Sequence, residues 1–192
     1  MNTLYLDLHV LQTVPPSCIN RDDTGSPKTA VYGGVSRARV SSQAWKHAMR
    51  GMFSEIFPRE QIGVRTKHVA ELIAEELKNM GYQGDAIEAA KTALDNGGIK
   101  TNKKNCTDAL FFMSYIQRKK LEELTMAGEE DKKLYKAALA DAPSIDIALF
   151  GRMVASDPSL NFDAAAQVAH SISTHEVRNE YDYFTAVDEC SE

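Results

Sequence analysis

Six cations crowd one short stretch of an otherwise acidic chain. Residues 20–50 read NRDDTGSPKTAVYGGVSRARVSSQAWKHAMR and carry Arg21, Lys28, Arg37, Arg39, Lys46 and Arg50 against only Asp22 and Asp23. Guanidinium and ammonium groups at this density, interleaved with glycines, suit phosphate oxygens of a polyanion such as nucleic acid. Contacts of that kind position a strand without reading its sequence. Residues 1–50 hold six Lys/Arg and three Asp/Glu, a net of +3, while residues 51–192 hold sixteen and twenty-four, a net of −8. An acidic total argues against a free-standing, histone-like coater of DNA. It leaves room for one basic groove, because binding follows the potential within a Debye length of roughly 8–10 Å.

Local structure must aim these groups. Residues 35–40 alternate so that Arg37 and Arg39 share one face of an extended segment. Ser41 or Ser42 then offers an N-cap for a helix over 43–57, which Pro58 stops. On that helix Trp45, Ala48, Met49, Met52, Phe53 and Ile56 form an apolar stripe, and Gln43, Lys46, His47 and Arg50 form the opposite one. The helix start adds free N–H groups and a positive dipole end, a second reason to expect phosphate there. Gly33-Gly34 fits neither GxGxxG nor GxxxxGK[ST] and reads as a tight turn or a close backbone approach.

Other chemistry is thinner. His170 and His175 sit at an odd separation, on opposite faces of an extended segment, and are poor co-ligands. These two, like His9, His47 and His68, read as hydrogen-bonded structural groups. Asp22-Asp23 reads as turn chemistry or a partner for Arg21, with divalent-metal binding as the alternative. No GxSxG or HExxH occurs, and no cofactor is implied. Cys18, Cys106 and Cys190 are odd in number and far apart, which fits reduced thiols in the cytoplasm. The first twelve residues are broken by Asp7 and His9 and lack a basic lead, so they do not read as a signal peptide. No apolar run reaches the ~18–20 residues of a membrane span.

The pattern of elements indicates an α+β fold. A strand is expected over 3–12, with Leu4, Leu6, Leu8 and Val10 inward, followed by a long loop from Val14 past Gly34. Helices are expected over 67–80, 85–94, 115–127, 131–140 and 145–154. A buried strand is expected over 109–113, an extended strand over 166–175, and an aromatic extended segment over 181–187. The aromatics around Phe184 are either core or a stacking platform for bases.

Three segments carry a resemblance. They are LDLHVLQTVPPSCINRDDTGSPKTAVYGGVSRARVSSQAWKHAMR at 6–50, IDIALFGRMVAS at 145–156, and AHSISTHEV…YFTAVDE at 169–189. In these the chain resembles the CRISPR RNA-binding backbone subunit of the type I-E Cascade surveillance complex, the CasC family. The resemblance implies an RRM-like (ferredoxin-like) palm over 1–58 and 144–192, with a helical fingers domain inserted over 59–143. It implies a thumb hairpin that would begin where this sequence stops, leaving the palm incomplete. The family's RNA-contacting pattern falls on Arg21, Lys28, Ser41, Gln43, Lys46 and Arg50, with Met153, Phe184 and Thr185 near the bases. Implied partners are the crRNA, target DNA by way of the crRNA, further copies of the chain and other Cascade subunits, with no membrane. No catalysis is implied. Two alternatives stand: a metal-dependent RNA endonuclease using Asp22 or Asp23, as in type III relatives, and an assembly module whose basic face binds an acidic protein.

Overall fold

A computed structural model describes residues 4–180. The chain divides into two compact units, Met1–Trp45 with Ala169–Glu192, and Lys46–Val168.

The first unit is built on a hairpin. β1 (Thr29–Tyr32) pairs antiparallel with β2 (Val35–Val40), and Tyr32 faces Val35 across a two-residue turn. Gly33 and Gly34 both take positive φ, 65° and 80°, as the favoured two-residue hairpin turn requires. The turn reading of this pair therefore holds. The expected long loop is interrupted by β1, whose four residues are too short to announce themselves by alternation. β5 (Ser171–Ile172) adds to the other edge of β2. It is only two residues long, not the ten expected over 166–175. Beyond it, Val177 donates to Ser36 O at 2.9 Å. Of the strand expected over 3–12, the described residues 4–12 form none. Leu4, Leu6, Leu8 and Val10 are each at least 80% exposed, and no described residue offers that segment a ladder. Alternation proposes a strand, but backbone pairing makes one.

α1 (Ser42–Ile56) follows, with the division between the units falling inside it. The second unit holds the hydrophobic core. α2 (Val69–Asn79), α3 (Ala86–Asn96), α4 (Tyr115–Met126) and α5 (Lys132–Ala140) match the expected helices within a few residues. Asp85 caps α3 through Ile87 and Glu88 N–H, and Asp131 caps α5 through Lys133 N–H. Ser114 and Gln117 form a reciprocal capping box on α4. Ile73, Leu77, Leu94, Leu121 and Leu139 are fully buried, and Ala70, Ala90 and Ala93 let the helices approach closely. β3 (Gly63–Thr66) pairs antiparallel with β4 (Phe111–Ser114), all four residues of which are buried. α6 (Ile145–Phe150) ends four residues sooner than expected. Gly151 has φ 77°, and a Cβ there would lie 2.9 Å from Phe162 O, so the backbone turns away to pair Arg152 with Phe162.

That turn delivers Arg152 into the core. The side chain is 5% exposed and has no carboxylate partner among the described residues. Its Nε donates to Leu160 O at 3.0 Å. Nη1 donates to Phe112 O and to Gln117 Oε1, both at 3.0 Å. Nη2 donates to Leu139 O at 2.7 Å and Leu160 O at 2.8 Å. The guanidinium lies 4.9 Å from the ring centres of Phe111 and Phe162. Burial lowers its pKa to about 10, which still leaves it charged at neutral pH. Gln117, itself fully buried, also donates to Leu139 O and Asp141 O. Arg152→Met keeps the bulk but leaves three carbonyls without these donors. Urea unfolding is expected to show a loss of about 3 kcal/mol or more, and Arg152→Lys to recover only part of it. A loss below about 1 kcal/mol would show that the network is dispensable.

Candidate nucleic-acid interface

In the first unit, the structure separates the cations into those held by the fold and those left to solvent. Arg37 is held. Its Nε donates to Tyr32 O at 3.0 Å, its Nη1 to Ser173 O at 2.9 Å, and it lies 5.9 Å over the Tyr32 ring. It ties the hairpin turn to the segment after β5. Arg39 is half-buried, with its Nε out of solvent and lacking a hydrogen-bond partner among the described residues. Arg21 is exposed, and its Nη1 donates to Gly25 O at 2.6 Å across a turn closed by pairing with Pro27. The half-buried Lys28 is fixed through its backbone: its N–H donates to Asn20 O, and its carbonyl accepts from Arg39 N–H. Its ammonium has no hydrogen bond or ion pair among the described residues. Gln43 is exposed.

Ser41 has a different place. It is 4% exposed, and its Oγ accepts from Ala44 N–H at 3.2 Å, so it is the N-cap of α1. The N–H of Ser42 is taken by His170 Nδ1 at 3.1 Å, and that of Ser41 by Asn20 Oδ1 at 3.0 Å. Trp45 Nε1 donates to Ser171 Oγ at 2.7 Å. The helix start expected to present free N–H groups to phosphate is therefore largely satisfied from within. His170 is the hydrogen-bonded structural group the sequence suggested, and its partner, like the contacts of Asn20 and Trp45, is what sequence reasoning missed. Their partners lie 21 to 128 residues away, and no periodicity marks such contacts.

In the second unit, α1 turns a face inward that differs from the expected one. Met52 and Ile56 are 57% and 61% exposed, whereas Lys46, Arg50, Phe53 and Phe57 are half-buried. The reason is aromatic. Phe53 stacks on Phe150 at 5.9 Å and meets Phe57 edge-on at 5.5 Å. The Lys46 ammonium lies 5.7 Å over the Phe150 ring, and the Arg50 guanidinium lies 4.6 Å over Phe112. Arg50 Nε is 3.9 Å from Asp146 Oδ2 and makes no hydrogen bond among the described residues. Burial lowers the pKa of Arg50, with Asp146 opposing that shift. Arg50 is thus no freely exposed helix position. Met153 is 83% exposed and lines an open groove with Phe150, Asn161 and Phe162. Lys46 and Met153 meet at Phe150: one covers its ring, the other shares its groove. Phe184 and Thr185 lie outside the described residues.

The acidic pair belongs to the loop. Asp22 Oδ1 accepts from Thr24 N–H, Thr24 Oγ1 and Ser26 N–H at 2.7–3.0 Å. The Thr24 hydroxyl is the largest influence holding its carboxyl below the usual range. This is turn chemistry, as the sequence suggested.

The model of the CT1975-like protein family matches residues 6–192. The chain belongs to this Cas family. A chain of a "CRISPR RNA-guided surveillance complex, pre-nicking" superposes with a TM-score of 0.76 at 31% identity, over 92% of this chain and 54% of that one. A chain of a "CRISPR RNA-guided surveillance complex" superposes with a TM-score of 0.67 at 29% identity, over 86% of this chain and 57% of that one. The CT1975-like chain described here thus spans little more than half the length of either. No curated protein matches it. The superpositions show that the chain shares a mixed α+β fold with these chains. Among the described residues, no helix is long and apolar enough to cross a membrane.

The geometry at Ser41 separates capping from RNA contact. Ser41→Ala is expected to lower unfolding free energy by about 1 kcal/mol. A variant with unchanged stability and weakened RNA binding would return the hydroxyl to the ligand.

Proposed function

We propose that this chain is a guide-RNA-binding backbone subunit of a type I-E (CasC-like) Cascade complex. The observation that carries the reading is the likeness to chains of RNA-guided surveillance complexes at 31% identity over 92% of the chain. In this reading the palm is RRM-like over 1–58 and 144–192, and 59–143 are the inserted fingers. The subunit grips crRNA phosphates without sequence preference. Further copies polymerise along the guide beside other Cascade subunits, in the cytoplasm, and the bases are left to pair with target DNA. Sequence is then read by base pairing and not by the protein.

The residues fall into ranks. Lys28 and Lys46, whose ammonium groups have no ion pair among the described residues, and the exposed Gln43, whose Oε1 accepts only a long bond of 3.4 Å from Ser42 Oγ, are the leading RNA contacts. Arg21 and Arg39 support them. Arg37, Ser41 and Arg50 act chiefly by holding the backbone in place. Met153 is a contact for a base or sugar, since a large exposed thioether beside a groove suits an apolar surface. The role in this reading is non-catalytic; of Asp22 and Asp23, the candidates for metal-assisted cleavage, Asp22 has one oxygen engaged by three turn donors.

Binding to two single-stranded RNAs of unrelated sequence, followed across salt concentrations, tests the reading. Both should bind alike, because phosphate contacts release counterions and carry no base information. Lys28→Ala and Lys46→Ala should each reduce the salt slope by about 1. Strong preference for one RNA, or an unchanged slope in both variants, would overturn the assignment.

A further inference from the structure

The basic loop after α3 brings a thiol against the start of α2. His68 precedes α2, and Glu71 lies in its first turn, three residues on and so on the same helical face. Their side chains meet at 3.0 Å, His68 Nδ1 to Glu71 Oε2. Cys106 arrives from the loop over 101–107 and places Sγ 3.6 Å from the same Nδ1. All three candidate donor atoms lie within 4.8 Å of one another.

The loop is built to hold the cysteine there. Thr101 and Thr107 pair across its base. Asn102 Oδ1 accepts from both Lys104 N–H, at 2.8 Å, and Cys106 N–H, at 3.2 Å. Thr107 N–H donates to Lys67 O at 2.9 Å, anchoring the loop one residue before His68. His68 N–H in turn donates to Thr66 Oγ1 at 3.1 Å. Both sides of the trio are thus fixed by backbone contacts, and both lie in the same compact unit.

The spacing has a chemical meaning. Zinc bonds of about 2.0–2.2 Å to nitrogen and oxygen and about 2.3 Å to sulfur, at tetrahedral angles, put neighbouring ligand atoms about 3.3–3.6 Å apart. The N···S separation is 3.6 Å, and the N···O separation of 3.0 Å needs to open by only a few tenths. An imidazole, a carboxylate and a thiol form a borderline-soft set that suits zinc and disfavours magnesium or calcium. Two of the three side chains are exposed and the third is half-buried, so water has access to a fourth position.

We infer that His68, Glu71 and Cys106 form a zinc-binding site that staples the basic loop to the start of α2. His68 ligates through Nδ1, Glu71 through a carboxylate oxygen, Cys106 as thiolate, and water completes the tetrahedron. On binding, the Cys106 S–H bond breaks, the sulfur keeps the electron pair, and the proton passes to solvent.

The test uses the purified protein, treated with a chelator and then titrated with zinc or cobalt(II) chloride. One equivalent of cobalt should bind and give a thiolate-to-metal charge-transfer band. Zinc should displace it, and a large excess of magnesium should not. Cys106→Ser should abolish the band, and His68→Ala should weaken binding at least tenfold. Cys18→Ser should change neither. In the unmutated protein, zinc should also protect Cys106 from alkylation, read by peptide mass spectrometry, which needs no variant to fold. Absence of the band, its survival in Cys106→Ser, or equal alkylation of Cys106 with and without zinc would each overturn the site.

Discussion

A buried guanidinium organises the second unit. Arg152 donates to carbonyls contributed by β4, by α5 and by the turn at Pro158–Leu160, and to the side chain that completes the cap of α4. A charge in this position is costly to desolvate and stays only because every donor direction is met. It lies over two aromatic rings, whose negative faces offset part of that cost. One side chain thereby fixes the mutual placement of a strand and two helices. It also fixes the point where the chain leaves α6, and with it the exposed Met153 next door.

The same distinction, between cations that build and cations that remain available, runs through the basic stretch. Arg37 locks the hairpin to the segment after β5, and Arg50 is laid over Phe112 beside the buried Asp146. Lys28 and Lys46 keep ammonium groups without ion pairs among the described residues. Charge density alone therefore overstates how many cations the fold leaves available. A guanidinium is planar, weakly hydrated and able to stack, which makes it the better internal brace. An ammonium is a mobile point charge suited to a backbone that must slide into any register.

Much of the fold was legible. The helices over 69–140 declare themselves by periodicity, because that signal is local, while the caps Asp85 and Asp131 read from sequence only as first helical residues. The Gly33-Gly34 turn was legible for the same reason. What failed depended on partners distant in sequence. The alternation of Leu4 to Val10 suggests a strand, but no described ladder receives it. The face of α1 was misassigned because a 3.6-residue period shows an apolar stripe without showing which aromatics await it. Phe112 and Phe150 draw Lys46 and Arg50 inward while Met52 and Ile56 stay outside. Arg152 was invisible, since the helix expected over 145–154 gives no sign that its single arginine turns into the core. Of the site, the basic stretch itself was plain, but the division of labour within it was not. That division rests on Asn20, His170 and Ser173, whose contacts no spacing rule encodes.

Crosslinking tests the proposed RNA-gripping role most directly: ultraviolet irradiation of the protein mixed with single-stranded RNA, with the attached peptides mapped by mass spectrometry. Peptides spanning 20–50 and the one containing Met153 should carry nucleotide, independent of RNA sequence. Crosslinks confined to α2 through α5, with residues 20–50 unmodified, would contradict it and place the RNA on the helical unit instead.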